Sequence, residues 1–254
     1  MLDKLTDFLR VFFGPGNENY HFKYFSLSHI IPILIMVIII ILLYRYRKEI
    51  RANEKLDLKL RFWLGFLVSI ANISWYWLFI NIGTDPSVAL PLTICETVMF
   101  FSPFLLLTKS QKLFDVFYFW TLCGSTNALL TPAVLDNYGP TTYRYYQFWI
   151  GHAGIMVVIF YCLFILKMNV TFKSLLRSIF WLFLMSLLAM YVNSVIPNAN
   201  YLFLKGSEAG SSVLDLLPTY LPVRFAILFV LVIILFSLAY LPWYFINRKT
   251  IKEG

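Results

Sequence analysis

The sequence predicts an all-α polytopic membrane bundle of seven transmembrane helices, N-terminus outside and C-terminus inside, preceded by a short N-terminal interfacial helix. Three observations predict it. Of 254 residues, 60% are hydrophobic and only 13% charged, where an ordinary soluble domain carries about 25% charged residues. Such a chain cannot cover a water-facing surface, which excludes a secreted or cytosolic globular protein, a disordered chain and a disulfide scaffold. The apolar residues fall into runs of about 20, the length at which a helix crosses the hydrocarbon core. The cations lie in short connections between these runs, so the net charge of +8 reports topology and not nucleic acid.

Residues 1–24 form the N-terminal segment. Leu2, Leu5, Phe8, Leu9, Phe12 and Phe13 recur at helical spacing with Asp3, Lys4, Asp7 and Arg10 between them, a pattern for a helix lying on the outer leaflet. A cleaved signal peptide needs an unbroken apolar region and a small-residue cleavage site, and neither is expected here. Gly14-Pro15-Gly16 ends the segment.

The transmembrane domain covers 25–247, with spans at 25–46, 62–82, 88–107, 113–134, 145–166, 175–196 and 221–246, and a cytoplasmic tail at 248–254. Regular alternation of apolar and polar residues is absent, so a β-barrel finds no support. Orientation follows from Lys and Arg, which cytoplasmic loops retain. The first, third and fifth connections and the C-terminus hold 15 of the 21, and the opposite side six. Between the last two spans, 197–220 is a polar connector with Asn198-Ala199-Asn200-Tyr201 and Lys205-Gly206-Ser207-Glu208, long enough to cover an outward-facing site.

Ionisable groups inside a membrane cost about 2.5–3.5 kcal/mol each on insertion scales, so each needs a reason. Glu96 is the one acid well inside a span; Asp115 sits near a span end; His29 and His152 lie within spans. At 1.5 Å per residue, Cys95 and Glu96 fall about 10–12 Å below the outer boundary, His152 about 10 Å and His29 about 6 Å. Asn127, Thr131, Pro132, Asn193 and Arg224 gather toward the same end, which predicts one polar pocket in the outer half. Pro91 and Pro103 are expected to loosen the third span around Cys95.

Each residue also has a plain structural role open to it. Cys95, Cys123 and Cys162 stand in apolar runs without metal spacing, so neither a disulfide nor a metal site is expected, and a lone cysteine there is commonly a small hydrophobe. His152 suits an interhelical hydrogen bond as well as chemistry. Glu96 is expected to point about 100° away from its neighbour Cys95 and to hold a histidine from a neighbouring helix. Arg224 suits an interfacial anchor or the phosphate of an outer-leaflet lipid. Trp75, Trp77, Trp149, Tyr220, Trp243 and Tyr244 fit the interfacial belt.

Leu90-Pro91-Leu92-Thr93-Ile94-Cys95, Ala128-Leu129-Leu130-Thr131-Pro132, His152 and Asn198-Ala199-Asn200-Tyr201-Leu202-Phe203-Leu204, in that order, resemble the YwaF family of bacterial integral membrane proteins. That family is similar to the eukaryotic transmembrane protein 164, and the likeness runs over nearly the whole chain. The resemblance implies a multi-pass protein of a bacterial plasma membrane and, from the eukaryotic branch, a phospholipid acyltransferase in which a cysteine and a histidine matter. They fall on Cys95 and His152. By their positions in the chain, Glu96, His29, Asn127, Thr131, Asn200 and Tyr201 are expected as supporting residues and Arg224 as a lipid-phosphate ligand. The expected partner is a membrane phospholipid or lysophospholipid, with no cofactor, no metal and no nucleic acid. Two alternatives stand beside transfer: a lipid hydrolase using the same residues, and a non-enzymatic binding or transport protein in which Glu96, His29 and His152 form a path. The polar residues stop halfway across, which disfavours a transport path.

Overall fold

Four of the helices start on a polar side chain that takes up a first-turn amide, and these residues decide where the chain turns helical. The computed structural model describes residues 2–14, 16–74, 86–206 and 216–253. Among them every regular element is helical. In order they are α1 (Leu2–Phe12), α2 (Leu27–Arg45), α3 (Arg47–Ala52), α4 (Glu54–Ile73), α5 (Ile94–Thr108) and α6 (Gln111–Trp120). A π-helical turn (Thr121–Ser125), α7 (Thr126–Leu130), α8 (Tyr143–Phe164), α9 (Phe172–Val195) and α10 (Leu221–Glu253) follow. Asn53 caps α4, Thr93 caps α5, Ser110 caps α6, and Thr171 with Ser174 forms a reciprocal capping box on α9.

Small residues bring three helices into close contact. A Cβ added to Gly65 of α4 would lie 3.0 Å from the Pro103 Cα of α5; one on Gly154 of α8 would meet Val68 of α4 at 2.5 Å; one on Gly151 would meet Met99 of α5 at 2.8 Å. Such close approach is how helices associate in lipid, where apolar surface alone supplies no preference for protein over tails. Helix α8 is the centre of the bundle, with 61% of its most apolar window buried, against 17% for α2 and 6% for α10. Leu34, Ile35 and Ile38 on α2, and Val230, Ile234 and Leu238 on α10, are exposed, a surface suited to lipid and not to water. The chain is therefore a helical membrane protein.

The cation-rich connections meet at one end. Arg51 donates to the carbonyls of Phe164 and Ile165, Lys109 lies 3.7 Å from Asp57, and Gln111 donates to the Asn169 carbonyl at 2.8 Å. At the other end Asn17 and Asn137 exchange backbone contacts with each other and with Tyr20, and the Tyr145 hydroxyl donates to the Ser28 carbonyl. Helix α1 is present as expected, with Phe12 and Phe13 against Tyr143 and Phe12 also against Tyr146.

Four helices among the described residues are long and apolar enough to cross a membrane by themselves: Leu27–Arg45, Tyr143–Phe164, Phe172–Val195 and Leu221–Arg248. The remaining three predicted spans depart from the expected pattern. Helix α4 opens in charged sequence, with Glu54 and Asp57 in its first turn, and 75–82 of that span, with Trp75 and Trp77, lies outside the described residues. The fourth span runs unbroken from Gln111, α6 passing through the π-turn into α7, but stops at Leu130, where Thr131-Pro132 ends it short of the expected 134. The third span is corrected most. Residues 88–93 are turn and bend, and α5 is a helix of only 15 residues beginning at Ile94. Pro91 stands ahead of that helix rather than kinking it, because the residue before a proline is driven to extended backbone and Thr93 then supplies the start.

Candidate active site

The late start of α5 changes the setting of Cys95 and Glu96. They occupy the second and third helical positions, and the Glu96 N–H donates to Thr93 Oγ1 at 3.3 Å. The depth estimate of 10–12 Å assumed a continuous helix from residue 88 and does not hold. A carboxylate in a first turn faces the positive end of the helix dipole, which supplies part of the reason for Glu96 that a mid-span position lacks. The same turn leaves the Ile94 and Cys95 N–H groups without intrahelical acceptors.

Cys95 is half-buried and packs on the π-turn: a Cβ on Gly124 would lie 3.1 Å from its Sγ. The next residue of that turn, Ser125, is fully buried and donates its hydroxyl to the His152 carbonyl at 2.7 Å. The Cys95 sulfur and the His152 main-chain carbonyl thus meet two consecutive residues of one turn. Met99, one helical turn beyond Cys95, lies against Gly151, next to His152. A π-turn widens the helix by a residue, and such turns recur at functional sites.

The imidazole of His152 is oriented by its own helix. Nδ1 bonds to the Phe148 carbonyl at 3.0 Å, and because a carbonyl only accepts, Nδ1 carries the proton in the neutral ring. Nε2 is then the acceptor. The Phe148 ring, 4.3 Å away between centroids, covers one face of the imidazole.

Other expected site residues are placed elsewhere or serve the frame. His29 is 1% exposed; its Nδ1 accepts from the Phe25 N–H at 2.9 Å and its Nε2 donates to the Leu129 carbonyl at 2.8 Å. Both nitrogens are committed to backbone, so His29 ties α2 to α7 and holds one tautomer. Asn127 and Thr131 are exposed; Thr131 bonds back to the Asn127 carbonyl and ends α7. The Asn200 side chain closes its own loop onto Lys205 and Gly206. Tyr201 is nearer the thiol in effect: its hydroxyl accepts from the Leu90 N–H at 3.0 Å and donates to the Pro86 carbonyl at 2.7 Å, fixing the segment that leads to Cys95. Asn193 holds Tyr201 in turn through both its backbone N–H and its carbonyl. Ser207 and Glu208 of the connector lie outside the described residues.

Arg224 is enclosed, at 1% exposure, instead of standing at the interface as an anchor. The three cysteines are free thiols, Cys162 in the core and Cys123 half-buried. Among the described residues no group of three His, Cys, Asp or Glu side chains could hold a metal ion. The residues that sequence reasoning passes over are Thr93, Gly124 and Ser125. Thr93-Ile94-Cys95-Glu96 does carry a capping signature, a Thr three residues ahead of a Glu. Nothing in Cys123-Gly124-Ser125 marks a π-turn.

Fold and site together define an all-helical integral membrane protein in which the Cys95 sulfur and the His152 main-chain carbonyl meet consecutive residues of one irregular turn. The chain belongs to the TMEM164 family, whose family model matches residues 24–247. No curated protein and no solved structure matches it.

Proposed function

We propose that the protein is a membrane phospholipid acyltransferase in which Cys95 is the nucleophile and His152 the base. The observation that carries the reading is the shared turn, with Gly124 under the sulfur and Ser125 on the histidine carbonyl, together with a tautomer that leaves Nε2 free to accept. Nε2 removes the Cys95 proton, and the thiolate attacks the ester carbonyl of a donor phospholipid. The carbon–oxygen bond breaks, the leaving alkoxide takes the proton from Nε2, and the acyl group remains as a thioester. A lysophospholipid hydroxyl then gives its proton to Nε2 and attacks the thioester, and the departing thiolate recovers that proton. The first-turn N–H groups of α5 are available to the carbonyl oxygen as charge develops on it. Water in place of the lysophospholipid gives a hydrolase with the same residues. A path through Glu96, His29 and His152 is disfavoured, because the His29 ring has both nitrogens bonded to backbone.

The test is transfer from a radiolabelled phosphatidylcholine donor to a lysophospholipid in proteoliposomes. Cys95→Ser should abolish it, and His152→Ala should lower it by about 10²–10⁴-fold, with both proteins folded. A hydroxylamine-sensitive acyl adduct should appear on wild type and be absent from Cys95→Ser. Full activity in Cys95→Ser overturns the thiol reading.

The same reading has seven helices crossing a bacterial plasma membrane, N-terminus outside. The gathering of cation-rich connections at one end supports it, as does the resemblance to the bacterial family. A cysteine added at the extreme C-terminus should resist an impermeant maleimide on intact cells; labelling there reverses the orientation.

A further inference from the structure

Arg224, in the first turn of α10, is the largest fully enclosed side chain among the described residues. Its Nε donates to the Phe203 carbonyl at 2.8 Å and its Nη1 to the Leu217 carbonyl at 3.3 Å, while Nη2 is buried without a hydrogen-bond partner. Among the described residues no carboxylate pairs with this guanidinium, whereas Arg61, the other enclosed arginine, lies 3.0 Å from Asp57. Two carbonyls compensate a cation taken out of water only in part. The arrangement calls for an anion.

The surroundings indicate which anion. Phe203, whose carbonyl holds Nε, belongs to the loop whose Tyr201 hydroxyl fixes the Pro86 and Leu90 backbone leading to Cys95. Leu202 and Phe203 both sit in the left-handed region, at φ 59° and 57°, a conformation that side chains of their size avoid. The loop is thus held in a strained form with one side on the arginine and the other on the approach to the thiol. The 3.3 Å contact to Leu217 is the weaker of the two, and releasing it frees Nη1 and Nη2 together, the paired edge with which a guanidinium grips phosphate oxygens.

We propose that Arg224 binds the phosphate of the phospholipid substrate while the acyl ester lies toward Cys95. This rests on the acyltransferase reading for the identity of the lipid, and the test is arranged so that the two fail separately. Binding is measured on the full-length Cys95→Ser protein in detergent, so acyl transfer plays no part. The probes are 1-palmitoyl lysophosphatidylcholine, monopalmitoylglycerol, which lacks the phosphate, and palmitate. Lysophosphatidylcholine should bind at least ten-fold more tightly than monopalmitoylglycerol, and Arg224→Gln should erase the difference. Equal affinities, or a preference that survives Arg224→Gln, overturn the proposal. Tighter binding of palmitate than of lysophosphatidylcholine also overturns it and assigns the guanidinium to a carboxylate. If Arg224→Gln does not fold, Arg224→Lys decides, since it keeps the charge and loses the fork: the preference should fall at least three-fold, and an unchanged preference sinks the idea.

Discussion

The two ends of the bundle handle charge in opposite ways. At the cation-rich end, buried charges have counter-ions. Asp57 holds Arg61 at 3.0 Å and Lys109 at 3.7 Å and accepts from the Tyr161 hydroxyl, joining α4, α5 and α8. Asp115 of α6 meets Arg177 and Ser174 of α9 and Gln111 of its own helix. At the opposite end the enclosed cation Arg224 rests on two carbonyls, and Asn193, Tyr201 and His29 bond to backbone. Matched charges hold helices together whatever the substrate does. There a neutral, hydrogen-bonded frame surrounds the groups to which the proposed function assigns ligand binding and chemistry.

Breaking the first arrangement should cost stability and spare chemistry. Asp57→Asn leaves Arg61 enclosed without its counter-ion and should destabilise the protein by about 3–5 kcal/mol, read as the unfolding midpoint in detergent, with transfer per folded molecule unchanged. A large loss of specific activity would mean that the two ends are coupled. The comparison also has a pH signature. Burial works to raise the Asp57 carboxyl, but the Tyr161 hydroxyl, Arg61 and Lys109 outweigh it and hold the group below the usual aspartate range. A lowered folded pKa contributes stability above the ordinary value of about 3.9, and the contribution is lost as pH falls through the folded value. The gap between wild type and Asp57→Asn should therefore be full at neutral pH and close in strong acid; a gap that widens there contradicts the assignment.

At the other end the expectation reverses. Gly124→Ala sets a Cβ 3.1 Å from the Cys95 sulfur and 3.3 Å from the Ile94 side chain. It should lower transfer by about 10–10²-fold through misplacement of the thiol, while stability changes by no more than about 1–3 kcal/mol. Wild-type transfer would show that the turn does not position the sulfur. The smallest effect belongs to Lys109, which is half-exposed. Lys109→Met should cost less than about 1 kcal/mol, a difference that disappears in high salt.

Much of this was legible in the sequence, because it rests on sums over neighbours in the chain. Hydropathy alone places α2, α8, α9 and α10, and the cation distribution anticipates the end at which their connections meet. Helical periodicity anticipates α1 as well. Cys95 and Tyr201 stand out because they belong to recognisable runs, and the structure places Cys95 in the first turn of α5 and the Tyr201 hydroxyl on the Leu90 N–H ahead of it.

Helix α5 shows where such sums stop. Residues 88–93 are apolar enough to extend a span, yet Pro91 and the Thr93 cap start the helix at Ile94, and the thiol stands in a first helical turn instead of two turns inside a continuous helix. His29 and Arg224 show the second limit. The sequence by itself determined that an imidazole and a guanidinium stand among apolar residues. Only the tertiary structure decided that His29 is satisfied by the nearby Phe25 and by Leu129, 100 residues further along the chain, while Arg224 keeps an unpartnered Nη2. The reason is physical: composition and periodicity describe what one helix offers its surroundings, whereas a buried hydrogen bond needs a partner from another segment at about 3 Å, and packing alone selects which segment that is.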